Sequence, residues 1–274
     1  MRIGLLGLGN LGYPIANYLN QNGYRVFSWT RSPRPTEWDN SQDLTILKKL
    51  DLDSLIIASG TIRPGRGDFI SEKDSTINLA KNLSTSSKTR VIYLSSGAVY
   101  GECVSPQSES VLPKPSTLYG QVKFQIENEF EKYFENRFCA LRVGNVLDLV
   151  KPFGLPKVIK ESFLSKRIEM FGLPTDCRDF ITMHDFLVVI ESLMNNRDLP
   201  RVLNVGTGES IPLADIALLI EKYSKNPMEI IWSPRRLGDL GETRLDISAQ
   251  KILVKKSVTH PTIVFRDLIQ SCND

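Results

Sequence analysis

The sequence predicts an α/β protein in which a doubly wound parallel sheet is joined by a smaller carboxyl-terminal α/β domain. Three observations predict it. Through the first hundred residues, short apolar, β-branched runs alternate with helical patterns, the signature of βαβ units. A glycine-rich turn separates the first apolar run from the first helical pattern. After Val146 the texture changes: Pro152, Pro156 and Pro174 break the rhythm and the elements become shorter. At 274 residues the chain has room for one large domain or two unequal ones.

Taken in order, Arg2 to Leu6 reads as a buried strand, and Pro14 to Asn20 as an amphipathic helix. Pro14 suits the first helical turn, where a missing N–H costs nothing. Gly23 ends that helix, and Tyr24 to Trp29 reads as the second strand. Leu55 to Ser59 and Val91 to Ser95 are further strands, with a polar Gly/Pro loop at Arg63 to Asp68 between them. Phe124 to Phe134 has helical spacing with acidic residues outward, and Cys139 to Val143 is another strand. A boundary is expected near residue 148, giving a first domain over 1–148 and a second over 149–274. Segments near 180–206 (Phe180 to Ile190, Arg201 to Val205) are expected to return to the first sheet.

Composition narrows the function classes. Hydrophobic residues make up 41% and charged residues 24%, which disfavours disorder and coiled coils. A net charge of +3 with scattered basic residues is no footprint of a nucleic-acid binder. The densest basic pair, Arg235-Arg236, suits a small anion. Cys103, Cys139, Cys177 and Cys272 form no CxxC pair, and His184 and His260 are the only histidines. No metal site is therefore expected, and the lone cysteines read as reduced thiols. Without a secretory signal pattern, and with apolar stretches such as Phe186 to Met194 too short to span a membrane, a cytoplasmic location is expected.

Gly7-Leu8-Gly9-Asn10-Leu11-Gly12 matches G-x-G-x-x-G between a predicted strand and a predicted helix. Gly7 permits the tight turn and Gly9 the approach of backbone to a pyrophosphate. Gly12 permits close packing of helix on strand, with the helix N-terminus facing the phosphates. This is the turn of a Rossmann-type dinucleotide site, to which Gly7, Gly9, Asn10, Leu11, Gly12 and the strand-end Ser59 are assigned. A site for NAD carries an acid roughly 20 residues further on. Here Thr30, Arg31 and Ser32 stand instead, and the planar fork of Arg31 suits a 2′-phosphate. NADP(H) is accordingly favoured, with NAD(H) still open; the bland reading of Arg31 is a solvated surface side chain.

Tyr119 and Lys123 have the Tyr-x-x-x-Lys spacing that places both on one helix face. Ser95-Ser96-Gly97-Ala98-Val99-Tyr100-Gly101 precedes them, directly after an apolar strand. A free phenol has a pKa of about 10 and is a poor base at neutral pH. A neighbouring ammonium and a positive nicotinamide ring favour the phenolate. Such a tyrosine takes a proton from a hydroxyl while hydride leaves the same carbon. Ser96 is expected to hydrogen-bond the reacting oxygen and Lys123 also to hold the nicotinamide ribose. The bland alternative is a surface tyrosine–lysine pair beside a strand-end serine.

With these residues the chain resembles the extended short-chain dehydrogenase/reductases, specifically the NAD(P)-dependent epimerase/dehydratase family that acts on nucleotide sugars. The resemblance rests on Ser95 to Gly101, on Glu109, Pro113, Pro115, Tyr119 and Lys123, and on Leu141 to Val146. It continues through Arg178-Asp179-Phe180-Ile181 with Asp185, Asn204 to Ser210, and Arg236, Gly238, Asp239 and Asp246-Ile247-Ser248. It implies that Ser96, Tyr119 and Lys123 are the catalytic set. It also implies that Ser96, Asn145, Arg178 and Arg236 hold the substrate, a nucleotide diphosphate sugar, where arginine forks suit a diphosphate. Inter-domain salt bridges are the structural alternative for the two arginines. A homodimer through the helix carrying Tyr119 is implied by resemblance alone.

Four features depart from the family pattern. Leu6 stands where the usual turn has a different glycine spacing, the acid after the second strand is absent, Thr182 replaces a frequent histidine, and the chain is short. Gly97 and Ala98 occupy the positions at which a 4,6-dehydratase carries Asp-Glu, so dehydration is disfavoured. A 4-epimerase and a 4-keto-sugar reductase both remain. A small-molecule carbonyl reductase of the same fold and a non-catalytic NADP(H) sensor are the alternatives. The first leaves Arg178 and Arg236 unexplained, and the second leaves Tyr119 and Lys123 without a task.

Overall fold

The computed structural model describes residues 1–30, 36, 39–41, 50–59, 73–78, 88–102 and 106–273. Its centre is a seven-stranded, all-parallel sheet of β1 (Arg2–Leu6), β2 (Arg25–Trp29), β3 (Asp39–Ser41), β4 (Ser54–Ile57), β5 (Arg90–Ser96), β6 (Phe138–Val143) and β10 (Val202–Val205). The spatial order is β10-β6-β5-β4-β1-β2-β3. The chain winds outward from β1 in both directions, so the order reverses between β1 and β4. Open α/β sheets bind ligands in the crevice at such a reversal, beyond the carboxyl ends of the strands.

The strands are apolar on both faces because helices cover both. Ile92 and Leu94 of β5 point into one core with Ile3, Leu5 and Leu141. There they meet Ile15 and Leu19 of α1 (Gly12–Gln21) and Phe186 and Ile190 of α4 (Met183–Asn195). Val91 and Tyr93 point the other way, with Leu6, Leu55 and Ile57, against Val122, Ile126 and Phe130 of α2 (Leu118–Phe134). Tyr93 meets Phe130 edge to face at 5.2 Å between centroids, and Phe134 and Phe138 extend the cluster around Phe130.

The remaining elements form a smaller layer. β7 (Asn145–Leu147), β9 (Cys177–Thr182) and β11 (Ser210–Pro212) make one sheet, and β8 (Arg167–Phe171) pairs with β12 (Glu229–Ser233). The helices α3 (Leu155–Ser165), α5 (Leu213–Tyr223) and α7 (Pro261–Ser271) pack with these strands around Ile159, Met170, Phe180, Ile216 and Phe265. A short helix, α6 (Ser248–Val254), lies between Ile247 and Lys255.

Several boundaries differ from the sequence expectations for physical reasons. α1 starts at Gly12, so Pro14 is its third residue, still within the turn whose N–H groups lack helical partners. α2 starts at Leu118, because the Thr117 hydroxyl accepts from Gly120 N at 3.0 Å and caps it there. The apolar run Phe180 to Ile190 is cut at Thr182, whose hydroxyl caps α4 by accepting from Asp185 N. Its first part belongs to β9, outside the large sheet, and β10 alone from the 180–206 stretch joins that sheet. The polar loop at Arg63 to Asp68 lies outside the described residues. No described helix is long and apolar enough to cross a membrane.

Candidate active site

The glycine turn crosses the carboxyl end of β1, and steric facts fix its composition. Gly7 has φ +91°, and a Cβ there would stand 2.9 Å from both Cα and N of Ser59 at the end of β4. A Cβ on Gly12 would occupy the position of the Gly7 carbonyl oxygen. Those two glycines are therefore demanded by the protein itself. Gly9 is different: a Cβ there would meet nothing within 4 Å among the described residues. Its bare backbone, beside Asn10 and Leu11 at the start of α1, is a surface that a pyrophosphate fits, with the helix dipole behind it. Gly7 N donates to the carbonyl of Trp29 at 2.8 Å, which sets the turn against the end of β2. Thr30, next in the chain, is buried. Arg31 and Ser32 lie outside the described residues, as does Cys103.

Ser96 ends β5, one strand beyond β4 on the same carboxyl edge, and its hydroxyl accepts from Ala98 N at 3.2 Å to cap the short 3-10 turn Gly97–Tyr100. α2 is seated directly on that turn. A Cβ on Gly120 would overlap the Ala98 carbonyl oxygen, so the residue after Tyr119 has to be glycine for the approach to occur. Tyr119 is half-buried in the first turn of α2. One turn on, Lys123 is 7% exposed and donates its ammonium to the Leu94 carbonyl of β5 at 2.9 Å. The same ammonium stands 4.7 Å from the Tyr93 ring centroid and 5.8 Å from that of Tyr119. The ring faces favour the charged amine electrostatically. Ser96, Tyr119 and Lys123 thus lie about the carboxyl-terminal part of β5, two strands along the same sheet from the β1 that carries the glycine turn.

Asn145, Arg178 and Arg236 come from the smaller layer. Asn145 is exposed at the start of β7 and donates to the Asp179 carbonyl at 3.2 Å. Arg178, on β9, sends Nη1 to the carbonyls of Cys177 and Gly241, each at 3.0 Å. Burial pushes its pKa down, opposed by Asp176, Asp239 and Glu102. Arg236 is exposed, with its guanidinium 3.8 Å from the Phe171 ring centroid. Among the described residues neither arginine forms an ion pair. The ion pair here is made by Arg235, which grips Asp176 of the same layer through Nε and Nη2 at 2.7 and 2.6 Å and stands 3.9 Å from Glu102.

Several supporting residues were given no individual role by the sequence reading. Glu127, one turn beyond Lys123, accepts from Ser95 and pairs with Arg142 at 2.8 Å. Arg142 lies over the Tyr100 ring at 4.8 Å, and the Tyr100 hydroxyl donates to Asn204 at 2.8 Å. A charge inside the apolar run Phe138 to Val143 was the available signal, since a buried ion needs a partner. Asp179, read only as part of a motif, is fully buried and accepts from Thr207 N, Thr207 Oγ1, Gly208 N and Leu245 N. Burial raises its pKa against the pull of those four donors. Nothing in the local sequence marked Asp176. Among the described residues no group of three or more His, Cys, Asp or Glu side chains is placed to hold a metal ion. Cys139, Cys177 and Cys272 are free thiols.

A parallel sheet reversed at β1 and β4, a glycine turn at the reversal, and a serine, tyrosine and lysine on its carboxyl edge define an extended short-chain dehydrogenase/reductase. The model of the NAD dependent epimerase/dehydratase family matches residues 5–206. The chain belongs to that family. It is 24% identical over 169 residues to an uncharacterized UDP-glucose epimerase of Bacillus subtilis, a match covering 60% of this chain and 54% of the relative. The chain therefore matches about half the length of that relative. Among solved structures, MoeE5 in complex with UDP-glucose and NAD superposes with a TM-score of 0.86 at 20% identity, covering 98% of each chain. UDP-glucuronic acid 4-epimerase from Bacillus cereus, in complex with UDP-glucuronic acid and NAD, gives 0.84 at 21% identity, covering 99% of each. At such identities these likenesses establish the fold.

Proposed function

We propose that this protein is an NAD(P)-dependent oxidoreductase or epimerase of a nucleotide-linked sugar, acting at a carbinol or ketone carbon with Tyr119 as acid and base. The observation that carries the reading is the convergence of Ser96, Tyr119 and Lys123 with the glycine turn on one sheet edge, enforced by the contact of Gly120 with Ala98. When bound, the nicotinamide supplies the acceptor or donor of hydride. Gly7, Gly9, Asn10, Leu11 and Gly12 would hold the dinucleotide, with Thr30 and Ser59 at the neighbouring strand ends; Arg31 and Ser32, which follow Thr30 in sequence, are assigned to the same cofactor.

The protein's own groups do the rest. The Tyr119 hydroxyl takes the proton from a sugar hydroxyl during oxidation and returns it during reduction. Lys123, which donates to the Leu94 carbonyl, keeps a positive charge near that phenol and would help hold the nicotinamide ribose. The Ser96 hydroxyl, free to rotate its proton outward while it accepts from Ala98 N, hydrogen-bonds the reacting oxygen. Arg178 and Arg236 bring to the neighbouring layer two cations that form no ion pair among the described residues, which favours a diphosphate-bearing substrate over a small carbonyl compound. Asn145 starts β7 of that layer, two residues after the end of β6 of the large sheet.

Reduction and epimerisation differ in what happens to the cofactor. The absence of a carboxylate at Thr30, Arg31 and Ser32 favours NADP(H), and with it reduction. NAD in the B. cereus epimerase complex favours epimerisation as the second reading. The experiment is to denature the purified protein and identify any released nucleotide by mass spectrometry, then titrate the emptied protein with NADPH and NADH. Retained NAD⁺ supports the epimerase. An empty site preferring NADPH, with the preference lost in Arg31→Ala, supports the reductase. A protein that binds neither dinucleotide sinks both readings.

A further inference from the structure

The two adjacent arginines that end the sequence's basic pair have opposite situations. Arg235 is neutralised: its fork closes on Asp176, whose side chain is only 2% exposed. Arg236, the next residue, has no acidic partner among the described residues and lies face-on to Phe171. Stacking on a ring occupies the guanidinium face and leaves its N–H edge for an acceptor.

The segment that carries them is pinned at both ends. At the first, Asp176 holds Arg235, and its own backbone is tied by Asp176 N to the Leu173 carbonyl at 2.9 Å and by Leu213 N to the Asp176 carbonyl at 2.8 Å. At the second, both oxygens of Glu102 accept from Gly241 N, at 2.9 and 3.0 Å. The Gly241 carbonyl accepts from Cys177 N at 2.8 Å and from Arg178 Nη1 at 3.0 Å. Between the pins, Asp239 N returns to the Arg236 carbonyl at 3.0 Å, and Arg236, Leu237 and Asp239 are exposed. Glu102 follows the 3-10 turn that starts at the end of the Ser96 strand. It therefore ties the catalytic edge of the large sheet to the segment bearing Arg236. Arg178 is tied to the same knot, through Gly241.

We propose that Asp176 and Glu102 are positioning residues for recognition of a nucleoside diphosphate: together they fix the segment 235–241 so that Arg236, stacked on Phe171, presents its N–H edge to the phosphates. The proposal rests on the nucleotide-sugar reading given above. A flexible loop would have to pay the ordering cost of Arg236 on binding, and a segment stapled at both ends has met that cost on folding. The pairing also settles which of two neighbouring arginines serves the ligand. Arg235 keeps the loop, and Arg236 meets the phosphate.

The test is titration calorimetry of the full chain with uridine 5′-diphosphate, and separately with the nicotinamide dinucleotide it binds. It compares the unaltered protein with Asp176→Asn, Glu102→Ala, Arg236→Ala and the Asp176→Asn/Arg236→Ala double variant. Both carboxylate variants are expected to weaken the diphosphate by about fivefold or more, the range of a coupling between linked sites, with dinucleotide affinity unchanged. The double variant is expected to match Arg236→Ala to within about twofold, because independent sites would multiply their losses. Unchanged diphosphate affinity in both carboxylate variants, multiplied losses in the double variant, or an equal loss of dinucleotide affinity overturns the positioning role and leaves the functional reading standing. An unaltered protein that binds dinucleotide but no nucleoside diphosphate overturns the functional reading itself, and this proposal with it.

Discussion

Glu127 and Arg142 form an ion pair 2.8 Å long in which each side chain is only 5% exposed. The pair lies under the candidate active site, joined to β5 by the Ser95 hydroxyl and to β10 through Tyr100 and Asn204. The Nη1 atom of Arg142 is buried without a hydrogen-bond partner, so the pair is already short of full compensation. Removing Glu127 would leave a buried cation with no counter-charge.

Glu127→Ala should therefore cost about 3–5 kcal/mol of stability, whereas Glu127→Leu combined with Arg142→Met should cost much less, because breaking a buried pair is worse than replacing it. Urea denaturation followed by circular dichroism measures both. Equal losses would show that the charges themselves carry little of the energy.

Gly120→Ala should displace α2 from the 3-10 turn, since the new methyl overlaps the Ala98 carbonyl. Tyr119 and Ser96 would then no longer meet the same substrate atom. Turnover should fall by about 10²-fold, the scale of a misplacement near 1 Å, with the protein still folded. A variant with full turnover would show that the helix approach is not what aligns them.

Tyr119→Phe removes the proton-transfer group and leaves the ring over Lys123. The rate constant for turnover should drop by about 10²–10⁴-fold, as general acid–base groups contribute, with dinucleotide affinity nearly unchanged. Stopped-flow turnover beside a cofactor titration separates the two. An unaltered rate constant removes Tyr119 from the chemistry.

Alkaline stability should depend on Tyr18. Burial, the hydrogen bond from its hydroxyl to Glu191 at 2.7 Å and that carboxylate's charge push its pKa up from 10.0 to about 12. The folded state then holds a proton that the unfolded chain gives up near 10.0. Its contribution is present below that value and is lost as pH rises toward about 12. Tyr18→Phe should flatten this part of the stability profile. An identical alkaline slope in both proteins would refute the shift.

Much of the sheet was legible because parallel strands buried on both faces must be apolar throughout, so β1, β2, β5 and β6 announce themselves as short runs. The ends of elements were less so. α2 begins where Thr117 caps it, six residues before its apolar pattern becomes evident, and the Phe180 to Ile190 run conceals a strand and a helix divided by the Thr182 cap. A cap is one hydrogen bond, and periodicity over a window averages it away.

The sequence by itself determined the glycine turn, the Tyr119 and Lys123 spacing and the family, because each depends on residues a few positions apart whose geometry local backbone rules enforce. Only the tertiary structure decided which polar residues support them. Asp176 and Arg235, Glu102 and Gly241, and Asp179 and Thr207 are distant in sequence. Their pairing depends on where β9 and the segment after β12 come to rest, and burial turns each meeting into an energetic commitment. The same physics explains why Arg235 and Arg236, adjacent and identical in type, have different parts. A charge takes its role from the partner that packing supplies, and packing is a property of the whole fold.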